Sequence, residues 1–105
     1  LENNKFLELA NLNKVLGDES RMKILWLLMD KELCVSELAE KFRITPSAAS
    51  HQLKELRLAG LLKRRKDGKR TYYTISNTNI HFVLRGMQKY LNTQRNQTVN
   101  EIYNG

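Results

Sequence analysis

Apolar residues recur three or four positions apart between Leu1 and Leu16, at Phe6, Leu9, Ala10, Leu12, Val15 and Leu16. That spacing predicts an amphipathic helix, which Gly17-Asp18 ends. Asp18 or Ser20 can cap a second helix through Arg21 to Leu28, where Met22, Leu25, Trp26 and Met29 keep the helical period. Asp30-Lys31-Glu32 is a polar break. Ser36 reads as the N-cap of a short third helix, Glu37 to Phe42, with Leu38, Ala39 and Phe42 facing inward, and Arg43-Ile44 as the turn after it. Thr45-Pro46 is the clearest local signal. A capping hydroxyl is followed by proline at the first helical position, where the missing N–H costs nothing. The fourth helix runs from there to Ala59, with Gly60 just past its end.

At Leu61 the period changes. Leu61 to Lys66, Asp67-Gly68, and Lys69 to Ile75 read as a β-hairpin, with Asp-Gly supplying the positive φ angles of a tight turn. Tyr72 and Tyr73 alternate in facing, so one of them packs on the core. After Ser76-Asn77 a last helix carries Ile80, Val83, Leu84, Met87 and Leu91 on one stripe. Beyond Thr93 the chain turns polar and rich in Asn and Gln. The expected division is a folded domain over 1–93 and a polar tail over 94–105, disordered or a frayed helix. The fold class is mainly α with a β-hairpin wing: a winged helix-turn-helix, dimeric through its first and last helices.

The fourth helix has two distinct faces. At about 100° per residue, Ala49, Leu53 and Leu56 share one narrow sector, while Ser47, Ala48, His51, Lys54 and Glu55 point away from it. Short or polar groups in the first turns let a helix backbone approach base edges in the major groove. Thr45, Ser47, Ala48, Ser50, His51, Gln52 and Lys54 are therefore the candidate groove contacts. A solvated amphipathic helix would show the same outer face, so the hairpin decides between the two. Between Leu61 and Arg70 stand six basic residues and one acid, a third of the eighteen Lys and Arg in the chain. Arg64, Arg65, Lys66, Lys69 and Arg70 are the candidate phosphate contacts. The whole chain of 105 residues has eleven acids and a net charge of +7, which favours a polyanionic partner.

Four segments together resemble the ArsR/SmtB family of bacterial repressors: Leu16-Gly17-Asp18-Glu19-Ser20-Arg21-Met22-Lys23-Ile24-Leu25, Glu32-Leu33-Cys34-Val35-Ser36-Glu37-Leu38-Ala39, Ser47-Ala48-Ala49-Ser50-His51-Gln52-Leu53-Lys54, and Ala59-Gly60-Leu61-Leu62 with the Tyr-Tyr hairpin. The likeness runs in register from about residue 12 to about residue 90. It implies a homodimer that binds an inverted-repeat DNA operator and blocks transcription until an inducer releases it. It also implies that Ser47, Ser50 and His51 make the groove contacts. Pro46 and Ala48 stand where family members often carry longer polar side chains.

The first and last helices carry more apolar surface than one small core needs. Phe6, Leu9, Leu12, Ile80, Val83, Leu84, Met87 and Leu91 are the expected dimer interface, and symmetric pairing would set two reading helices about 34 Å apart. Sensing is harder to place. The family's Cys-Val-Cys motif is here Cys34-Val35-Ser36, and the chain has no second cysteine. A soft-metal site needs two to four thiolates. At the family's other site Asn79 and His81 take the first two places, but Asn92 and Arg95 fall where the later ligands belong. No metal and no cofactor are expected, and the inducer is unassigned. His81 reads as a surface or interface histidine. Cys34 reads as a small, partly buried apolar residue with no run of cations beside it.

Two alternatives share the fold: a metal- or thiol-responsive sensor repressor using Cys34, and a winged-helix protein-interaction module. An enzyme is not expected, since there is no phosphate-cradling Gly motif, no paired carboxylates in a plausible cleft, and no identifiable His partner for Cys34. The longest apolar run, Ile24 to Met29, is too short to span a bilayer, and the start shows no signal-peptide pattern. With one cysteine, a reducing cytoplasm is the expected compartment.

Overall fold

A computed structural model describes the backbone of residues 1–104 and the side chains of residues 1–94. Its elements are, in order, α1 (Asn3–Leu16), α2 (Glu19–Asp30), β1 (Leu33–Cys34), α3 (Val35–Phe42), α4 (Pro46–Leu58), β2 (Leu62–Asp67), β3 (Arg70–Ile75) and α5 (Thr78–Asn104). The three strands form one antiparallel sheet in the order β1-β3-β2. This is the winged helix-turn-helix arrangement, with β2 and β3 as the wing.

Local chemistry sets the element ends. The Asp18 carboxylate, rather than Ser20, caps α2 by accepting from the Arg21 N–H at 3.0 Å. The N-cap of α3 is Cys34, not Ser36, which lies inside the first turn. Glu37, three residues on, reaches back to accept the Cys34 N–H at 3.0 Å, satisfying a donor the helix leaves orphaned. The helix therefore begins two residues earlier than expected. β1 was not expected at all: Leu33 pairs with Tyr73 and Cys34 with Tyr72. Arg43 ends α3 in the left-handed region, φ 54°, and its N–H reaches the last carbonyls of the helix.

The hairpin turn lies one residue later than Asp67-Gly68. Asp67 and Arg70 are paired, so the two-residue loop is Gly68-Lys69. Only Gly68 of that pair has a positive φ, 63°, which is the type II′ pattern with glycine first.

The core joins every element except the outer wing. Ile24, Leu25 and Leu28 of α2 meet Leu38 and Ala39 of α3, Ala49, Leu53 and Leu56 of α4, and Leu62, Tyr73 and Ile75 of the sheet. From α5 the buried residue is Leu84, with no exposed surface. Leu84 therefore belongs to the core of a single chain and is corrected from the expected interface. Past Thr93 the backbone of α5 stays helical to Asn104, while side chains from residue 95 on, Arg95 among them, lie outside the described residues. No helix among the described residues is long and apolar enough to cross a membrane.

Candidate nucleic-acid interface

The fourth helix is held by one face and open on the other. Thr45 caps it, its hydroxyl accepting the Ala48 N–H at 3.1 Å, and Pro46 occupies the first turn. Ala49, Leu53 and Leu56 are buried to within 1% of completely, which fixes the rotation of the helix about its own axis. The opposite side, Ser47, Ala48, Ser50, His51 and Lys54, is exposed, together with Thr45 at the cap. These six residues come together on one surface as expected.

Gln52 does not share that freedom. Half-buried, its amide oxygen accepts a long 3.5 Å hydrogen bond from Arg21 Nε of α2. The same guanidinium forms an ion pair with Glu55 through its terminal nitrogen. Glu55 Oε1 in turn stands 3.0 Å from His51 Nε2. Sequence reasoning missed this chain because Arg21 and Glu55 are 34 positions apart.

In the wing, Lys63, Arg64, Lys66 and Lys69 are exposed side chains, and Arg65 and Arg70 are exposed but engaged. Strand alternation puts Arg64 and Lys66 on the side of Tyr73, and Arg65 on that of Tyr72. Arg65 donates to both carboxylate oxygens of Glu32, at 2.6 and 3.2 Å, and lies over the Tyr72 ring, 5.1 Å from its centre. Its hydrogen bond to Arg65 holds the Glu32 carboxyl below its usual range, and the reciprocal bond raises Arg65. Arg70 is raised first by a hydrogen bond to Tyr72 and then by its charge. Arg65 therefore staples the wing to the short segment between α2 and β1. Of the two tyrosines, Tyr73 is the one buried.

Cys34 sits differently from expectation. It is buried, its Sγ is 3.2 Å from Ser36 Oγ, and it lines a pocket of about 310 Å³ with Ser36, Pro46, Lys69, Arg70 and Thr71. Two cations from the far end of the hairpin, Lys69 and Arg70, thus line the same pocket, although neither is near Cys34 in sequence. Among the described residues no three His, Cys, Asp or Glu side chains gather where they could hold a metal. One thiol beside a serine hydroxyl does not make a soft-metal donor set, so the residues at Cys34 do not fit such an ion.

The α1 and α5 faces are apolar and uncovered. Phe6 and Leu9 on α1 and Val83, Met87, Tyr90 and Leu91 on α5 are exposed, whereas Leu12 and Ile80 are half-buried. Tyr90 was not anticipated; it flanks Met87 around the helix, on the side away from Leu91.

The helix-turn-helix and the start of the wing coincide with a known family pattern. The family model described as bacterial regulatory protein, arsR family, matches residues 18–64, which hold α2, α3, α4 and the first part of the wing. The chain is 33% identical over 84 residues to the transcriptional repressor SmtB homolog of Synechocystis sp., covering 80% of this chain and 64% of that protein. It is 36% identical over 86 residues to the transcriptional activator HlyU of Vibrio cholerae, covering 82% of this chain and 79% of the other. The homodimeric winged helix-turn-helix DNA-binding domain of Mycobacterium bovis superposes with a TM-score of 0.78 at 26% identity, over 88% of this chain and 87% of that one.

Proposed function

Since the chain belongs to the ArsR family of bacterial regulatory proteins, we propose that it is a homodimeric, sequence-specific DNA-binding transcriptional repressor. It would act in the cytoplasm on an inverted-repeat operator. The observation that carries this reading is the division of α4 between a fully buried side and an uncovered polar side next to a basic hairpin. A helix seated on its core by Ala49, Leu53 and Leu56 presents Ser47, Ser50 and His51 in a fixed direction, which base reading requires. Exposed Arg64, Lys66 and Lys69 can neutralise phosphates beside the groove, adding affinity that does not depend on sequence. The chain spans 64% of the length of the SmtB homolog, and HlyU of Vibrio cholerae is named an activator.

Any inducer would be a small molecule or ion held outside the metal motifs, because Cys34-Val35-Ser36 supplies one thiol and the second site has Asn79 in place of a carboxylate, with Asn92 and Arg95 where the later ligands belong. No described feature favours the protein-interaction module over duplex DNA.

Selection of bound duplexes from a random pool tests the reading. The expected product is a palindrome whose half-sites lie about one helical turn apart. Recovery of no common sequence, or of one without two-fold symmetry, would overturn it.

A further inference from the structure

Arg21 lies on α2, outside the helix that faces DNA, yet its guanidinium ends among the side chains of that helix. Its side chain is 23% exposed, against 70% for His51 and 38% for Glu55. Two contacts run outward from it, Nε to Gln52 Oε1 and a terminal nitrogen to Glu55, and Glu55 in turn stands beside His51 Nε2. We propose that Arg21 is a positioning residue for base reading, setting the arrangement of Gln52, Glu55 and His51 on the exposed face of α4. This rests on the reading that α4 enters the major groove.

The physical reasons are three. Glu55 sits beside the face of α4 meant for the major groove, and an unpaired carboxylate there would repel the duplex; Arg21 neutralises it from behind. The planar fork of arginine serves two acceptors at once, which the single ammonium of lysine cannot do in the same geometry. Lastly, a carboxylate only accepts hydrogen bonds, so the His51 nitrogen facing Glu55 must carry the proton. In the neutral ring, Nδ1 is then the bare acceptor. Arg21 thereby fixes, through Glu55, which atom of His51 is offered to a base.

The test uses the full chain with the operator recovered by selection and a random duplex of equal length. Arg21→Lys keeps the charge and removes the fork. Operator affinity is expected to fall about tenfold, with random-duplex affinity changed by less than about twofold. Glu55→Gln keeps the side-chain shape and removes the charge. It is expected to raise random-duplex affinity while lowering the ratio between the two duplexes. Nitrogen-15 spectra of the imidazole give a readout that thermal stability does not share: the Nε2–H tautomer in the wild type, and a tautomer mixture in both variants. An unchanged operator-to-random ratio in a folded Arg21→Lys variant, or losses on both duplexes that merely follow a fall in Tm, would overturn the proposal. A wild-type chain that binds both duplexes equally would instead overturn the DNA-reading function on which it rests.

Discussion

Arg64 and Arg65 are adjacent, equally basic and equally exposed to a reader of the sequence, yet they do different work. Arg64 has no carboxylate partner among the described contacts, whereas Arg65 is tied to Glu32 by two hydrogen bonds and stacked on Tyr72. A cation free to approach phosphate contributes counterion release; one already neutralised by a carboxylate contributes mostly to the fold. Arg64→Ala is therefore expected to weaken binding to any duplex and to flatten the plot of log affinity against log salt by about one unit per wing. Arg65→Ala should change that slope less and lower Tm more. Salt titrations by fluorescence anisotropy and thermal melts of both variants distinguish them. Equal slopes would mean that the Glu32 pair opens on the duplex.

At the scale of single elements, α3 and the wing are each fastened by a carboxylate. Glu37 is held below the ordinary carboxyl value of 4.5, first by the Cys34 side chain and next by the Cys34 backbone N–H. Glu32 is lowered from the same value by its hydrogen bond to Arg65. A carboxyl with a lower pKa folded than unfolded stabilises the fold fully above the unfolded value, and that contribution disappears as pH falls through the folded one. The fold should therefore lose stability on acidification below 4.5, and Glu32→Gln with Glu37→Gln should flatten that part of the profile. Thermal melts between about pH 6 and about pH 3 check this; parallel profiles for variant and wild type would refute it. These two fastenings also mark how far the sequence could be read. The helices with strong local signals, above all Thr45-Pro46 to Gly60, were legible because capping and periodicity act within a few residues. The strand Leu33–Cys34 was not, since two residues have no period and the pairing partner is Tyr72-Tyr73, nearly forty positions away. The cap of α3 was missed because serine is the usual capping residue and cysteine is not, so Ser36 drew the assignment two residues too far. The glycine of the hairpin was right and its register wrong by one. Gly68 can serve as either central residue of a two-residue turn, and only strand pairing chooses between them.

For the molecule as a whole, the unresolved asymmetry lies between the core, which is closed, and α1 and α5, which are not. Leu84 has no exposed surface, while Leu9 is 46% and Leu91 66% exposed. A chain of this size can bury only a modest fraction of its surface, and pairing of such faces is a common remedy. Two-fold pairing would also double the reading surface, which matters because one short helix contacts too few bases for useful specificity. The burial pattern separates these roles experimentally. Leu84→Ala opens a hole in a single chain and should cost about 2 to 5 kcal/mol of stability. Leu9→Asp with Leu91→Asp alters residues already in contact with solvent, so it should leave helix content intact. By analytical ultracentrifugation that double variant is expected to sediment as a monomer. It should bind an isolated half-site as well as the wild-type chain does, yet lose its preference for the full inverted repeat. Should it remain a dimer, the pairing face must be sought elsewhere than on α1 and α5. Should it become monomeric and still favour the full repeat, α4 would be reading DNA without the symmetry on which its specificity is argued.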